Sequence, residues 1–275
     1  MVQITAVQLN NRKISNKDPA IVIAGMNVIE SEELCISVAG ELKNICERNN
    51  IDFIFKASFD KANRSSIDSF RGPGVDQGLK ILKKIKDEFN VPIISDIHEP
   101  SQAEMAAEVL DVIQIPAFLS RQTNLIKAAC ETKKVINIKK AQFLSPPQMM
   151  NIIEKCNHFG NENILLCERG SNFGYDNLIV DFLGIDEIKK IAPTILDITH
   201  SLQLPGGKGK SADGRSSQAK VLGTAAAAIG LAGFFIEVHP SPENALCDGA
   251  SATRLSEFES LLLELKKFDE LSKSL

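Results

Sequence analysis

From Ile21 onward the chain repeats one pattern. A short apolar run turns polar at its end, and a segment with helical spacing of apolar residues follows. The runs are Ile21–Asn27, Phe53–Lys56, Ile93–His98, Val112–Phe118, Val135–Lys140, Ile164–Arg169, Ile195–His200 and Phe234–His239, eight in all. The intervening segments predict helices over Ser31–Arg48, Asp76–Phe89, Ser101–Leu110, Thr123–Thr132, Pro146–Phe159, Asp176–Ile191, Gln218–Leu231 and Leu255–Leu271. Glu32 and Glu33 give the first of these a favourable start, because acidic side chains complement the positive end of a helix. Strands that are apolar almost throughout, each followed by a helix, imply a parallel sheet covered by helices. Eight such units in this length predict an α/β fold of the closed (β/α)8 TIM-barrel type. No G-x-G-x-x-G follows the first run, which argues against an open dinucleotide-binding sheet. Ahead of the barrel, Val2–Leu9 alternates and Asn10-Asn-Arg-Lys can turn, so residues 1–17 predict a short β-hairpin. The whole of 1–275 reads as one barrel domain.

Every run becomes polar at or just beyond its C-terminal end. The residues there are Asn27; Lys56 and Ser58; Asp96 and His98; Gln114, then Arg121; Lys139 and Gln142; Glu168 and Arg169; Asp197 and His200; Glu237 and His239. Barrel enzymes build their sites on that rim. Stability alone gives a barrel no reason to gather ionisable groups at one end, so the pattern points to an enzyme with a polar cavity.

Composition narrows the partners. Hydrophobic residues make up 44% and charged residues 24%, and a net charge of −4 disfavours nucleic acid, whose phosphate backbone needs a basic face. The longest apolar run, Ala225–Ile236, falls short of the ~20 residues that span a bilayer, so no membrane contact is expected. No signal-like segment opens the chain. Six cysteines without a C-x-x-C pair predict reduced, buried thiols and a cytoplasmic location.

The most informative stretch is Lys56-Ala-Ser-Phe-Asp-Lys-Ala-Asn-Arg-Ser-Ser66, which leads into Arg71-Gly-Pro-Gly74. Lys56 and Ser58 share one face of a strand, and Lys61, Arg64 and Ser65 follow where it must turn. Such donors suit phosphate or carboxylate. With Lys56, Lys61, Arg121, Lys139 and Arg169 expected at one rim, an anionic ligand follows, carrying two phosphoryl groups. His200, Glu237 and Asp248 with Asn27 could be read as metal ligands, but Asn is a poor fourth ligand for a transition metal. His98 and His239 can equally be hydrogen-bonded barrel-top side chains. Leu204-Pro-Gly-Gly-Lys-Gly-Lys-Ser211 is not a P-loop, since a Leu stands where the first Gly is required; 204–217 reads as a mobile loop over the mouth.

These motifs resemble the 3-deoxy-D-manno-octulosonate 8-phosphate synthases (2-dehydro-3-deoxyphosphooctonate aldolases). The likeness runs from Lys56–Ser66 and Arg71–Gly74 through Ser95-Asp-Ile-His-Glu-Pro-Ser and Gln114-Ile-Pro-Ala-Phe-Leu-Ser-Arg-Gln-Thr. It continues through Asn172-Phe-Gly-Tyr-Asp-Asn, Asp197-Ile-Thr-His-Ser-Leu-Gln, Phe235-Ile-Glu-Val-His-Pro and Cys247-Asp-Gly. The resemblance implies a cytoplasmic homotetrameric barrel that joins phosphoenolpyruvate to D-arabinose 5-phosphate on the route to lipopolysaccharide sugar. It implies that Lys139, Arg169 and the Ala117 backbone hold the phosphoenolpyruvate phosphate, with Ser58, Lys61 and Gln142 near its carboxylate and Lys56 and Glu237 in the same subsite. Asn63, Arg64 and Ser65 would hold the arabinose 5-phosphate, helped by Phe118 and Arg121 of a neighbouring subunit. Metal-dependent members carry Cys at the position of Asn27, so the resemblance implies the metal-independent branch and no cofactor. Asn27, Lys61, His200 and Asp248 become the expected catalytic groups. Three rivals stand beside this reading: a synthase using erythrose 4-phosphate, a Schiff-base aldolase built on Lys139 or Lys56, and a non-catalytic sugar-phosphate-binding barrel.

Overall fold

The computed structural model describes residues 3–205 and 213–275. The centre of the expected mouth loop, 206–212, lies outside the described residues, as do residues 1–2 of the expected hairpin. The hairpin itself pairs β1 (Val7–Leu9) with β2 (Arg12–Ile14), with Asn10 at φ 51° in the turn. It starts later than the alternation suggested. Val7, Leu9 and Ile14 are buried, and Asn16 just beyond them accepts from Thr194 N while donating to Ala192 O and Lys189 O. The hairpin therefore caps the amino-terminal end of the barrel.

The expected eight units follow. Strands β3 (Ile21–Val28), β4 (Phe53–Ser58), β5 (Ile93–Asp96), β6 (Val112–Ile115), β7 (Val135–Lys139) and β8 (Ile164–Glu168) are parallel neighbours in that order. A short antiparallel pair, β9 (Ser171–Asn172) and β10 (Leu178–Ile179), leads to β11 (Thr194–Asp197). Another, β12 (Gln203–Leu204) with β13 (Asp213–Gly214), leads to β14 (Gly233–His239), whose far end also pairs with β15 (Thr253–Arg254). Because β14 pairs with both β11 and β3, the eight long strands close into a ring. All eight residues of β3 and all six of β4 are buried, as strands covered on both faces must be.

Helices α1 (Glu32–Arg48), α2 (Val75–Phe89), α3 (Ala103–Ala107), α4 (Thr123–Glu131), α5 (Gln148–His158), α6 (Phe182–Lys189), α7 (Ala219–Ala227) and α8 (Leu255–Ser274) form the outer layer. In α1 the Ser31 hydroxyl accepts from Leu34 N, and Cys35, Val38, Ala39, Leu42, Ile45 and Cys46 form one buried stripe. Each Leu or Ile so buried contributes roughly 1.5–3 kcal/mol. Three predicted helices are markedly shorter than expected, α7 among them, which stops at Ala227 rather than Leu231. The stretch predicted to begin at Asp176 forms β10 instead, and α6 waits for Asp181, whose carboxylate accepts from Gly184 N. The third begins as a single 3-10 turn over Pro100–Gln102, where Pro100 can only stand at a first turn.

One glycine governs what the barrel floor can hold. Gly25 of β3 is in register with Lys56 of β4 on one side and with Glu237 of β14 on the other. A Cβ there would lie 1.9 Å from the Lys56 carbonyl oxygen. Only glycine lets these backbones approach so closely.

Candidate active site

A cavity of about 460 Å³ opens at the carboxyl ends of the strands. Its walls come from four arcs of the ring. The segment after β4 supplies Lys61, Asn63, Arg64 and Ser65, while β7 and β8, three and four strands further round, supply Lys139, Gln142 and Arg169. Between them on one side stand Asp96 and His98 after β5, with Gln114, Ala117 and Phe118 from β6. On the other side stand Asp197, His200, Glu237 and Asp248 from β11 and β14. Two basic walls thus face each other across a span lined with acids and histidines.

The first basic wall is an excursion of the chain tied at its base. Lys61 N donates to Arg71 O at 2.8 Å and Gly74 N to Phe59 O at 3.0 Å, while Arg71 grips Asp60 with two hydrogen bonds. Gly72, at φ 109°, lets the returning strand pass against the Phe59 carbonyl. Arg64 turns inward, donating to Cys247 Sγ at 2.6 Å and lying 3.6 Å from Asp248. Burial opposes the charge on Lys61, but Asp96, Glu237, Cys247 and Asp248 together raise its affinity for a proton, so it stands as an ammonium.

On the facing wall Arg169 donates from Nη2 to Gln203 Oε1 at 2.8 Å, and its Nη1 has no partner among the described residues. Lys139 pairs with Asp197, and its ammonium stands 3.2 Å from the centroid of the Phe235 ring. A half-used guanidinium beside an ammonium is a ready anion site.

The acidic arc is cross-connected. His200 Nδ1 lies 2.6 Å from Asp197 Oδ2, and His200 Nε2 lies 3.5 Å from Glu237 Oε2. Asn27 Nδ2 donates to Asp248 Oδ2 at 2.8 Å. Asp248 itself sits at φ 50°, a left-handed conformation uncommon for a non-glycine residue and a sign of a held backbone. Burial opposes ionisation of Asp96, Asp197, Glu237 and Asp248, yet neighbouring cations lower all four below their ordinary range. Across the cavity Ser58 donates to Asp96, which also meets His98 Nε2 at 3.1 Å.

The structure brings together most of the residues expected at the site. Lys61, Asn63, Arg64, Ser65, Ala117, Phe118, Lys139, Gln142, Arg169, His200, Glu237 and Asp248 all line the one cavity. Four do not. Lys56 and Ser58 lie a layer below, both wholly buried: Lys56 Nζ donates to Asn27 O and Glu237 Oε1, each at 2.7 Å, and Ser58 serves Asp96. Asn27 reaches the cavity only through Asp248. Arg121 is exposed beyond the 3-10 turn of Ala117–Leu119, with its carbonyl taken by Lys155. Of the five cations expected at the rim, Lys61, Lys139 and Arg169 line this cavity, joined by Arg64; Lys56 packs into the floor, and Arg121, expected to serve a neighbouring subunit, stands outside the cavity of its own chain. Phe118, expected from a neighbouring subunit, borders its own chain's cavity and is 55% exposed. Gln203, which orients Arg169, was not anticipated; its place inside Asp197-Ile-Thr-His-Ser-Leu-Gln was the only available signal. His239, by contrast, is structural, accepting from Ser241 N at Nδ1.

Comparison with known proteins establishes the family. The model of the DAHP synthetase I family matches residues 3–274. A 2-dehydro-3-deoxyphosphooctonate aldolase of Pseudoalteromonas translucida is 53% identical over 98% of this chain and 94% of its own. One from Psychromonas ingrahamii is 54% identical over 98% and 96%, and one from Marinobacter nauticus 55% over 95% and 94%. Matched from end to end at more than half identity, the chain belongs to the DAHP synthetase I family and, within it, to the 2-dehydro-3-deoxyphosphooctonate aldolases.

Proposed function

We propose that this enzyme condenses phosphoenolpyruvate with D-arabinose 5-phosphate and water, giving 3-deoxy-D-manno-octulosonate 8-phosphate and phosphate for lipopolysaccharide sugar synthesis. The observation that carries this reading is the pair of basic walls facing each other across one cavity. Arg64, Asn63 and Ser65 take the pentose phosphate. Lys139, Arg169 and the Ala117 backbone take the phosphate of phosphoenolpyruvate, with Lys61 and Gln142 near its carboxylate. Held between them, C3 of phosphoenolpyruvate attacks the aldehyde carbon and water adds at C2. The C2–O bond then breaks and phosphate leaves with the bridging oxygen. The aldehyde oxygen gains one proton of the attacking water, and the departing phosphate takes the other as the C2 hydroxyl becomes a carbonyl. Fixed cations hold both anions in near-attack geometry and balance charge on the departing phosphate. Lys61, an ammonium amid carboxylates, polarises the aldehyde, and His200 with Asp248 handles the proton of water.

No metal ion or other cofactor enters this scheme. Asn27 supports that reading, since it directs an N–H at Asp248 where a thiolate ligand would have to offer a lone pair. Lys56 cannot serve as a Schiff-base amine, being walled off beneath the cavity, and the Lys139 side-chain nitrogen is engaged by Asp197. The homotetramer is supported by apolar side chains left exposed on the segments that follow the strands, Phe118, Phe143, Phe173 and Tyr175 among them. Six free, buried cysteines suit a reducing cytoplasm, and no helix among the described residues is long and apolar enough to cross a membrane.

The test is phosphate release by chelator-treated protein supplied with phosphoenolpyruvate and each aldose phosphate in turn. Release with arabinose 5-phosphate, undiminished by the chelator and far slower with erythrose 4-phosphate, is expected. Release only with the tetrose would overturn the substrate assignment, and loss on chelation restored by a divalent ion would overturn metal independence.

A further inference from the structure

Asp197 is wholly buried at the end of β11, and each of its oxygens is engaged. Oδ1 accepts from His200 N at 2.8 Å. Oδ2 accepts from Lys139 Nζ and lies 2.6 Å from the His200 ring at Nδ1. Two groups assigned to different tasks, one to phosphate and one to a proton, thus share a single carboxylate oxygen. Burial alone would favour the neutral acid, but the two neighbours keep Asp197 ionised. An ionised carboxylate can only accept, so the imidazole must carry hydrogen on Nδ1. Its Nε2, 3.5 Å from Glu237, then faces the cavity as the variable position.

We propose that Asp197 is the positioning residue of the site, locking His200 in the Nδ1–H tautomer while tethering Lys139 at the phosphate wall. The second hydrogen bond, from the His200 backbone, makes the lock rigid: the carboxylate cannot rotate away from the ring without losing both. Phe235 completes the frame, with the Lys139 ammonium 3.2 Å from its ring centroid and the His200 ring at 6.0 Å. Around the imidazole stand Asp197, Glu237 and Asp248 as carboxylates, with the Lys139 ammonium bonded to the first and the Lys56 ammonium to the second. Of these, only Asp197 contacts Nδ1, so it alone sets the tautomer. The assignment of Lys139 to phosphate rests on the proposed function. The tautomer of His200 does not.

The experiment is nitrogen NMR of histidine-labelled enzyme without substrate; with four histidines in the chain, assignment by single substitutions is practical. Native His200 should show a protonated Nδ1. A lone pair on Nδ1 in the native enzyme would overturn the proposal whatever any variant does. In Asp197→Asn the amide can satisfy a bare Nδ1, so the tautomer should invert to Nε2–H. Turnover should then fall ~100-fold or more, with the KM for arabinose 5-phosphate within ~3-fold. Asp197→Glu should restore the native tautomer and part of the rate. An Asp197→Asn enzyme that is folded, keeps the Nδ1–H signature and loses activity would also overturn it, since Asp197 would then act by some other route. A native enzyme with the expected signature but no phosphate release would leave the lock standing and sink the assigned reaction instead.

Discussion

Lys56 and Glu237 meet at 2.7 Å beneath the cavity, and each side chain is only 1% exposed. They are linked over Gly25, the one residue in register with both. Burial, the largest influence, lowers the Lys56 pKa to about 8, against the attraction of Glu237 and Asp96. With Asn27 O and Met26 O as further acceptors, the ammonium is fully employed in the floor. Breaking such a pair strands a charge, whereas removing both partners does not. Lys56→Met or Glu237→Gln alone should cost about 3–5 kcal/mol in denaturant unfolding, and the double variant less than the sum. Additive losses would show that the two side chains do not act together.

Gly25→Ala should damage the same floor by a different route. The new methyl would meet the Lys56 backbone at 1.9 Å, a contact that strand movement alone can relieve. Destabilisation of at least about 3 kcal/mol is expected, with turnover impaired in whatever protein remains folded. Native-like unfolding midpoints would mean that β3 and β4 can separate without loss.

Acid should unfold this protein through its site. Asp96, Asp197, Glu237 and Asp248 all have folded pKa values below their ordinary ones. The unfolded chain therefore binds more protons as pH drops below ~4, and the stability these groups contribute above that pH is lost on passing through the folded values. Glu168, raised by burial, has the opposite sign but is a single group. Unfolding midpoints followed from pH 7 downward should fall steeply below ~4; midpoints unchanged to pH 3 would contradict the assignment.

The two walls should be separable kinetically. Arg64→Ala removes a charged donor from the first wall and should raise the KM for the pentose phosphate ~10–100-fold, leaving that for phosphoenolpyruvate nearly unchanged. Arg169→Ala should do the reverse. If either variant shifts both constants alike, the cavity does not hold its ligands at separate ends.

All six cysteines are buried and unpaired. Burial raises the pKa of Cys35, Cys46, Cys167 and Cys247 to about 12, including Cys247 at the cavity wall beside Arg64. Native protein should react slowly with a thiol reagent at neutral pH and yield six thiols once unfolded. Rapid labelling of Cys247 in the native state would show that the wall opens there.

How the chain folds was legible from the order of its apolar and polar residues. Strands buried on both faces must be apolar runs, and helices packed on one face must show a stripe, as Cys35 to Cys46 do. The polar ends of those runs likewise marked the mouth of the barrel. What the order of residues could not distinguish was Lys56 from Lys61, five positions apart on one segment. The first is spent in the floor and the second faces the cavity, because strand register sets Lys56 beside Gly25 and against Glu237, whereas Lys61 lies on the segment beyond the strand. Arg121 looked like a rim cation and lies outside the cavity, because the 3-10 turn before it redirects the chain. Asp197 and His200 are three residues apart and could be seen as a pair, but Lys139 joins them from 58 residues away. Local patterning determines which residues are strand, helix or rim, since that depends on near neighbours and on burial. Which side chains share one oxygen atom is decided by closure of the ring, which sets distances between segments that the chain itself leaves free.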